Sequence, residues 1–219
     1  MYLCDKNIIV KMQSIHQQVL GKIHELERGS IFFPEDFASV GSNESVRQAL
    51  SRICKDEVII RLSKGVYLFP VIDAELGVLY PSVERIARAI SKRDKSRIIP
   101  TGAFAMNRLG LSTQVPMNVI FLTDGITRKI NIGKQTITFC HTHPKSLAFQ
   151  GSVTPLAVAA LKEIGKDKAS FDELRKIKNA LQSEPQEIAL SDAYLAPRWI
   201  TDIILKLVKH TENEPMAKK

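Results

Sequence analysis

The sequence predicts an α+β fold in two parts: a small N-terminal unit ordered helix, strand, helix, helix, hairpin, then a larger mixed α/β unit. Three observations predict it. Apolar residues recur at helical spacing after Ser14 and again after Ser42. Two β-rich runs, VIIRL and VYLFP, flank Ser63-Lys64-Gly65, a loop ending in glycine that signals a hairpin. Beyond Pro81, helical and strand-like segments are intermixed.

The first helix opens on Ser14 and Gln17, a serine and a glutamine three apart that can satisfy opposite orphan amides. Ile15, Val19, Ile23 and Leu26 form its apolar stripe, and Gly29 is expected to stop it. Ser30 to Phe33 reads as a short strand. Pro34 suits the first position of a short helix, PEDFAS, which Gly41 ends. Ser42 or Asn43 can cap a third helix running to about Asp56, with Val46, Ala49, Leu50 and Ile53 inward. With the hairpin behind it, this is the order of a winged helix-turn-helix over residues 1–70.

Residues 71–81, rich in turn formers, read as a linker. The remainder, 82–219, reads as a mixed α/β domain. Ser82 to Lys92 is helical with Val83, Ile86, Ala87 and Ile90 inward, and Gly102 to Leu109 is a shorter helix. Asn118 to Thr123, Lys129 to Ile132 and Gln135 to Cys140 are strand-like. Three helices are expected at 154–164, 170–182 and about 197–210, before a polar tail, TENEPMAKK, expected to fray.

The chain has 219 residues, enough to bury a core without disulfides or metal. Three cysteines, Cys4, Cys54 and Cys140, cannot form a fully paired framework, show no CxxC spacing and fit a reducing cytoplasm. The apolar run Ile8 to Val10 is too short for a signal peptide, and no uncharged apolar stretch is long enough to span a membrane. The formal net charge is +8, which favours a polyanionic partner. Residues 1–70 hold nine basic against eight acidic residues, whereas 71–150 hold eleven against five. In the N-terminal unit, therefore, the position of the cations matters rather than their sum.

Five of those nine lie on the third helix and the hairpin. With its apolar stripe buried, that helix leaves outside, besides the acidic Glu44, the residues Ser42, Asn43, Ser45, Arg47, Gln48, Ser51, Arg52 and Lys55, and Arg61 and Lys64 sit on the hairpin. Arginine matches the guanine edge and asparagine or glutamine the adenine edge in a major groove, and a wing lysine reaches phosphate. These ten residues are the candidate DNA-binding set. A solvated helix face is the plainer explanation of such a list. Farther on, Arg85, Arg88, Lys92, Arg93, Arg97, Arg128 and Lys129 make a candidate basic surface that suits phosphate or an acidic partner, or simply a solvated helix end.

Enzyme signatures are weak. His141-Thr142-His143-Pro144 is similar to the H-x-H of JAMM-type zinc isopeptidases, but that spacing puts Gly151 and Thr154 at the expected Ser and Asp positions. Without the carboxylate, two imidazoles make a poor catalytic zinc site. No phosphate loop, GxGxxG or GxSxG motif occurs. Asp124-Gly125 reads as a turn and Cys54 as a packed thiol. No catalytic residue, metal or cofactor is expected.

Two segments, ALSRICKDEVIIRLSKGVY (49–67) and TGAFAMNRLGLSTQVP (101–116), resemble AbiEi-type antitoxins, a likeness extending over roughly residues 15 to 165. The resemblance implies a type IV toxin–antitoxin protein whose winged helix binds inverted repeats in its own promoter. It implies a C-terminal antitoxin domain countering a nucleotidyltransferase-like toxin without a stable complex. Carried onto this chain, Asn43 to Lys55 with Arg61 and Lys64 would read the operator, and the later basic clusters would belong to the antitoxin domain. A stand-alone winged-helix regulator and, more remotely, a His-x-His metalloenzyme are the alternatives. Oligomeric state is left open.

Overall fold

The computed structural model describes residues 14–209. The expectations for the frayed tail and the N-terminal apolar run concern residues outside that range. The protein is α+β and divides into two compact units, Met1–Pro81 and Ser82–Lys219.

In the first unit, α1 (Ile15–His24) begins with the expected capping box: Ser14 Oγ accepts from the Gln17 N–H at 3.2 Å and Gln17 Oε1 from the Ser14 N–H at 3.2 Å. Gly29 does not stop this helix, which ends at His24. Its φ of +85° instead turns the chain so that its N–H donates to the Phe69 carbonyl at 2.6 Å, entering the sheet. β1 (Ile31–Phe32) is shorter than expected, and Pro34–Phe37 closes as a 3-10 turn in which Asp36 accepts from the Phe33 N–H. α2 (Asn43–Lys55) follows, capped by Ser42 and burying Val46, Ala49, Leu50 and Ile53 as predicted.

β2 (Ile60–Ser63) and β3 (Val66–Leu68) form the hairpin, and β1 adds antiparallel to β3, giving the order β1-β3-β2. Ser63 pairs with Val66, so the loop is two residues, Lys64-Gly65, rather than three, with Gly65 at φ +71°. The core joins Val19 and Ile23 of α1 to the apolar stripe of α2 and to Phe32, Phe37, Tyr67 and Phe69. Phe32 stacks on Tyr67 at 5.8 Å and meets Phe37 edge-on at 5.6 Å. The stretch read as a linker is structured: β4 (Val71–Asp73) and β5 (Gly77–Leu79) pair antiparallel within the first unit. The Asp73 carboxylate accepts from the Leu76 and Glu75 N–H groups, both at 2.9 Å, closing the turn and drawing its pKa below the ordinary value.

The second unit is built on a four-stranded sheet of β6 (Ile98–Pro100), β7 (Asn118–Thr123), β8 (Arg128–Ile132) and β9 (Gln135–His141). Its order is β6-β7-β9-β8, with β7 and β9 parallel and the other pairs antiparallel. Val119, Phe121, Ile130, Ile132, Ile137 and Phe139 are buried, while their neighbours along each strand are more exposed, the period of two expected of a sheet with one covered face. α3 (Val83–Arg93), capped by Ser82, buries Val83, Ile86, Ala87 and Ile90, and α4 (Gly102–Arg108) leads from β6 toward β7.

Four helices complete the unit: α5 (Thr154–Ile164), α6 (Phe171–Leu181), α7 (Gln186–Ala193) and α8 (Arg198–Lys209). They share a core of Ala157, Val158, Leu161, Ile177, Leu181, Ala189, Ile200 and Ile204. Two buried carboxylates fix the entry to α5. Glu184 accepts from the N–H groups of Ser152 at 2.5 Å, Val153 at 2.9 Å and Thr154 at 3.1 Å, and from the Thr154 hydroxyl at 2.5 Å. Asp192 accepts from the Gln150 and Gly151 N–H groups at 3.0 and 2.7 Å. A carboxylate thus does for α5 what a capping serine does for α2, with charge added at the positive end of the helix dipole. No helix of the described residues is long and apolar enough to cross a membrane.

Candidate nucleic-acid interface

The apolar stripe of α2 points its other face to solvent. Asn43, Arg47, Gln48, Ser51, Arg52 and Lys55 are all exposed there, over three turns of helix. Three of the predicted residues have local duties. Ser42 Oγ accepts from the Ser45 N–H at 3.3 Å and lies 2.9 Å from Ser45 Oγ, so both hydroxyls serve the helix start, and Ser45 is half-buried. Gln48 Nε2 donates to Glu44 Oε1 at 3.3 Å, placing a carboxylate within the candidate face. Asn43, Arg47, Ser51, Arg52 and Lys55 have no side-chain hydrogen bond or ion pair among the described residues. Their hydrogen-bonding groups remain available to an external ligand.

The hairpin adds two cations. Arg61 on β2 is exposed, its Nε donating to the Ser63 carbonyl at 3.4 Å, and Lys64 stands exposed at the turn. Arg61 pairs across the sheet with Tyr67 of β3. Burial raises the Tyr67 pKa, with the charges of Arg61 and then Arg47 opposing that rise, so guanidiniums from β2 and α2 act on the same phenol. Cys54 packs against the core of the first unit, as the sequence suggests, and burial raises its pKa against the charge of Arg61.

The seven cations singled out in the second unit do not form one free patch. Arg85, Lys92 and Lys129 are exposed and without a partner among the described residues. Arg88 pairs with Glu84 at 2.6 Å. Arg93 pairs with Asp94 at 2.8 Å, and Arg128 closes on the same carboxylate from β8, both arginines being half-buried. Arg97 binds Asp124 twice, through its backbone N–H at 2.7 Å and Nε at 2.9 Å, and also donates to the Leu147 carbonyl at 3.3 Å. Arg93, Arg97 and Arg128 are therefore engaged in ion pairs within the second unit. For Arg93 and Arg128 the reason is burial: a largely buried guanidinium needs a carboxylate close by.

The Arg97 clasp makes a pH prediction. Its backbone N–H foremost, and its guanidinium as well, hold the Asp124 carboxyl below the ordinary value despite some desolvation. A carboxyl lowered in the folded state stabilises fully above its unfolded pKa, and that stability disappears as pH falls through the folded value. Asp124→Asn is expected to be less stable than the parent at pH 7 and to lose less stability between about pH 5 and 2. Urea midpoints measured across that range check it; parallel curves would remove Asp124 from the account.

His141 and His143 do not assemble a metal centre. His141 Nδ1 donates to the Gly125 carbonyl at 3.1 Å, while His143 Nδ1 accepts from the Lys145 N–H at 3.4 Å at the start of a 3-10 turn. Among the described residues, no group of three or more His, Cys, Asp or Glu side chains is placed to hold a metal ion.

Fold and site together define a two-unit α+β protein whose first unit presents an exposed helix face carrying Arg47, Arg52 and Lys55 and a hairpin carrying Arg61 and Lys64. The chain belongs to the family described as a family of unknown function (DUF6088), whose pattern matches residues 18–188. No curated protein matches it. Among solved structures it is similar to the RV2827C protein from Mycobacterium tuberculosis, at 12% identity and TM-score 0.34, over 89% of this chain and 82% of that one. It is also similar to a tRNA nucleotidyltransferase complexed with a primer tRNA and an incoming ATP analog, at 14% identity and TM-score 0.24. That match covers 56% of this chain and 50% of the other. Overlap this slight assigns no role to the chain.

Proposed function

We propose that the first unit is a winged helix-turn-helix that binds double-stranded operator DNA, and that the protein is the self-repressing antitoxin of a type IV toxin–antitoxin pair. The observation that supports the DNA-binding half is the α2 face: Asn43, Arg47, Ser51, Arg52 and Lys55 are exposed and make no side-chain hydrogen bond or ion pair among the described residues, with Arg61 and Lys64 on the hairpin. Helix α2 reads base edges in the major groove, and the hairpin takes phosphate or the minor groove. Ser42 and Ser45 hold the start of the reading helix rather than reading bases themselves.

The antitoxin half rests on the resemblance of residues 49–67 and 101–116 to AbiEi-type proteins. The partners are then an operator with inverted repeats and a nucleotidyltransferase-like toxin, countered without a stable complex, in the cytoplasm. No catalytic chemistry belongs to this reading. A reporter driven by the protein's own promoter is expected to fall in expression when the intact chain is supplied, by about tenfold or more. Co-expression with a nucleotidyltransferase-like toxin from the same operon is expected to restore growth. An unrepressed reporter overturns the operator reading, and growth arrest despite a soluble protein overturns the antitoxin reading.

A further inference from the structure

The second unit contains a cleft of about 360 Å³ that the operator-binding reading does not use. Two kinds of residue stand out in its lining: the arginines Arg88, Arg97 and Arg108, and the phenylalanines Phe104, Phe121 and Phe149. Glu84 on α3 is the one carboxylate among the lining residues. One of its oxygens holds Arg88 at 2.6 Å, and the other holds Arg108 of α4 at 3.3 Å. Two guanidiniums from different helices thus converge on a single planar anion, although their side chains are 69% and 53% exposed. Arg97 is committed to Asp124, which offsets its charge. Arg88 and Arg108 share the single Glu84 carboxylate, so these two guanidiniums carry one more positive charge than their partner.

We propose that this cleft binds a nucleoside monophosphate group, free or at the end of a strand. The phosphate displaces the Glu84 carboxylate between Arg88 and Arg108, and the base lies against Phe104 and Phe149. Arginine forks match phosphate oxygens two at a time, whereas an aromatic wall favours a flat base over a bare anion. The volume falls within the range of small-molecule sites and accommodates one nucleotide. Glu84 is then a built-in competitor, bonded where the phosphate binds.

The test is equilibrium binding to the full-length protein of the four nucleoside monophosphates, inorganic phosphate, and a 5′-phosphorylated trinucleotide beside its hydroxyl-ended form. At least one monophosphate is expected to bind about ten times more tightly than inorganic phosphate. Arg88→Ala and Arg108→Ala are each expected to weaken that binding about tenfold, and Glu84→Gln to strengthen it severalfold. A 5′-phosphorylated trinucleotide that outbinds both the monophosphates and its hydroxyl-ended form assigns the cleft to strand ends; monophosphates binding as well as it assign the free nucleotide. The Glu84→Gln arm retains its force even if an arginine variant misfolds, because it removes a competitor and leaves both forks in place. Absence of nucleotide binding at millimolar concentration overturns the proposal. So does affinity no better than phosphate, or affinity unmoved by Glu84→Gln.

Discussion

Glu184→Ala is expected to destabilise the second unit by about 3–5 kcal/mol, because it strands several buried donors that bond to the carboxylate. Glu184 is 9% exposed, and its carboxylate accepts from three consecutive backbone N–H groups and the Thr154 hydroxyl. Each donor left buried and unbonded costs about 1–3 kcal/mol, and water admitted to the gap recovers part of the sum. Trp199, the chain's one tryptophan, packs against the same helical core, so its fluorescence reports unfolding of this unit. A fall in melting temperature on the order of 10 °C is expected. Gly151→Ala attacks the same network sterically, since an added Cβ would overlap Glu184 Oε1. Because both changes disturb one carboxylate, the double variant is expected to lose clearly less than the sum of the singles. A loss below about 1 kcal/mol in Glu184→Ala would show that the network contributes little.

On operator DNA, Arg47→Ala and Arg52→Ala are each expected to cost about 1–3 kcal/mol if they meet base edges, and together to erase most discrimination between the operator and a scrambled duplex. Lys64→Ala is a different kind of change. Taking one cation off the phosphate backbone weakens binding to every sequence alike and lowers the salt slope by about 0.9. Titrations of the three variants on both duplexes separate the two modes. Equal losses on operator and scrambled DNA in the arginine variants would convert α2 from a reader into a backbone clamp.

How much of the molecule is legible in the sequence follows from the distance over which each feature is decided. Ser14 with Gln17 and Ser42 with Ser45 act within one turn, so both helix starts can be read locally. The α2 face is legible because burying Val46, Ala49, Leu50 and Ile53 leaves no choice about which residues point out. β6 carries little local signal because Ile98–Pro100 is three residues after a cationic run, and its place is set by pairing with β7. Helix α7, QEIALSDA, lacks a strong apolar stripe and is held by the core around it. The hairpin at 71–79 has the composition of a linker because its turn formers close a turn inside a small sheet.

Site chemistry is legible in the first unit and much less so in the second. The candidate face lies on one helix and one hairpin, whereas the ion pairs that use up Arg97 and Arg128 join residues 27 and 34 apart. Glu184 reaches Thr154 across 30 residues. Only the folded chain shows which cations are already neutralised, and hence that the excess of charge in 71–150 overstates the free basic surface.

The proposed function requires α2 and its hairpin to bind a particular duplex. Its most direct test is the affinity of the full-length protein for its own promoter and for a scrambled duplex of equal length, each measured over a range of salt. The promoter is expected to bind about 10³-fold more tightly at physiological salt, with both affinities falling as salt rises. Equal affinity for the two duplexes, or no binding to either at low salt, would contradict the account.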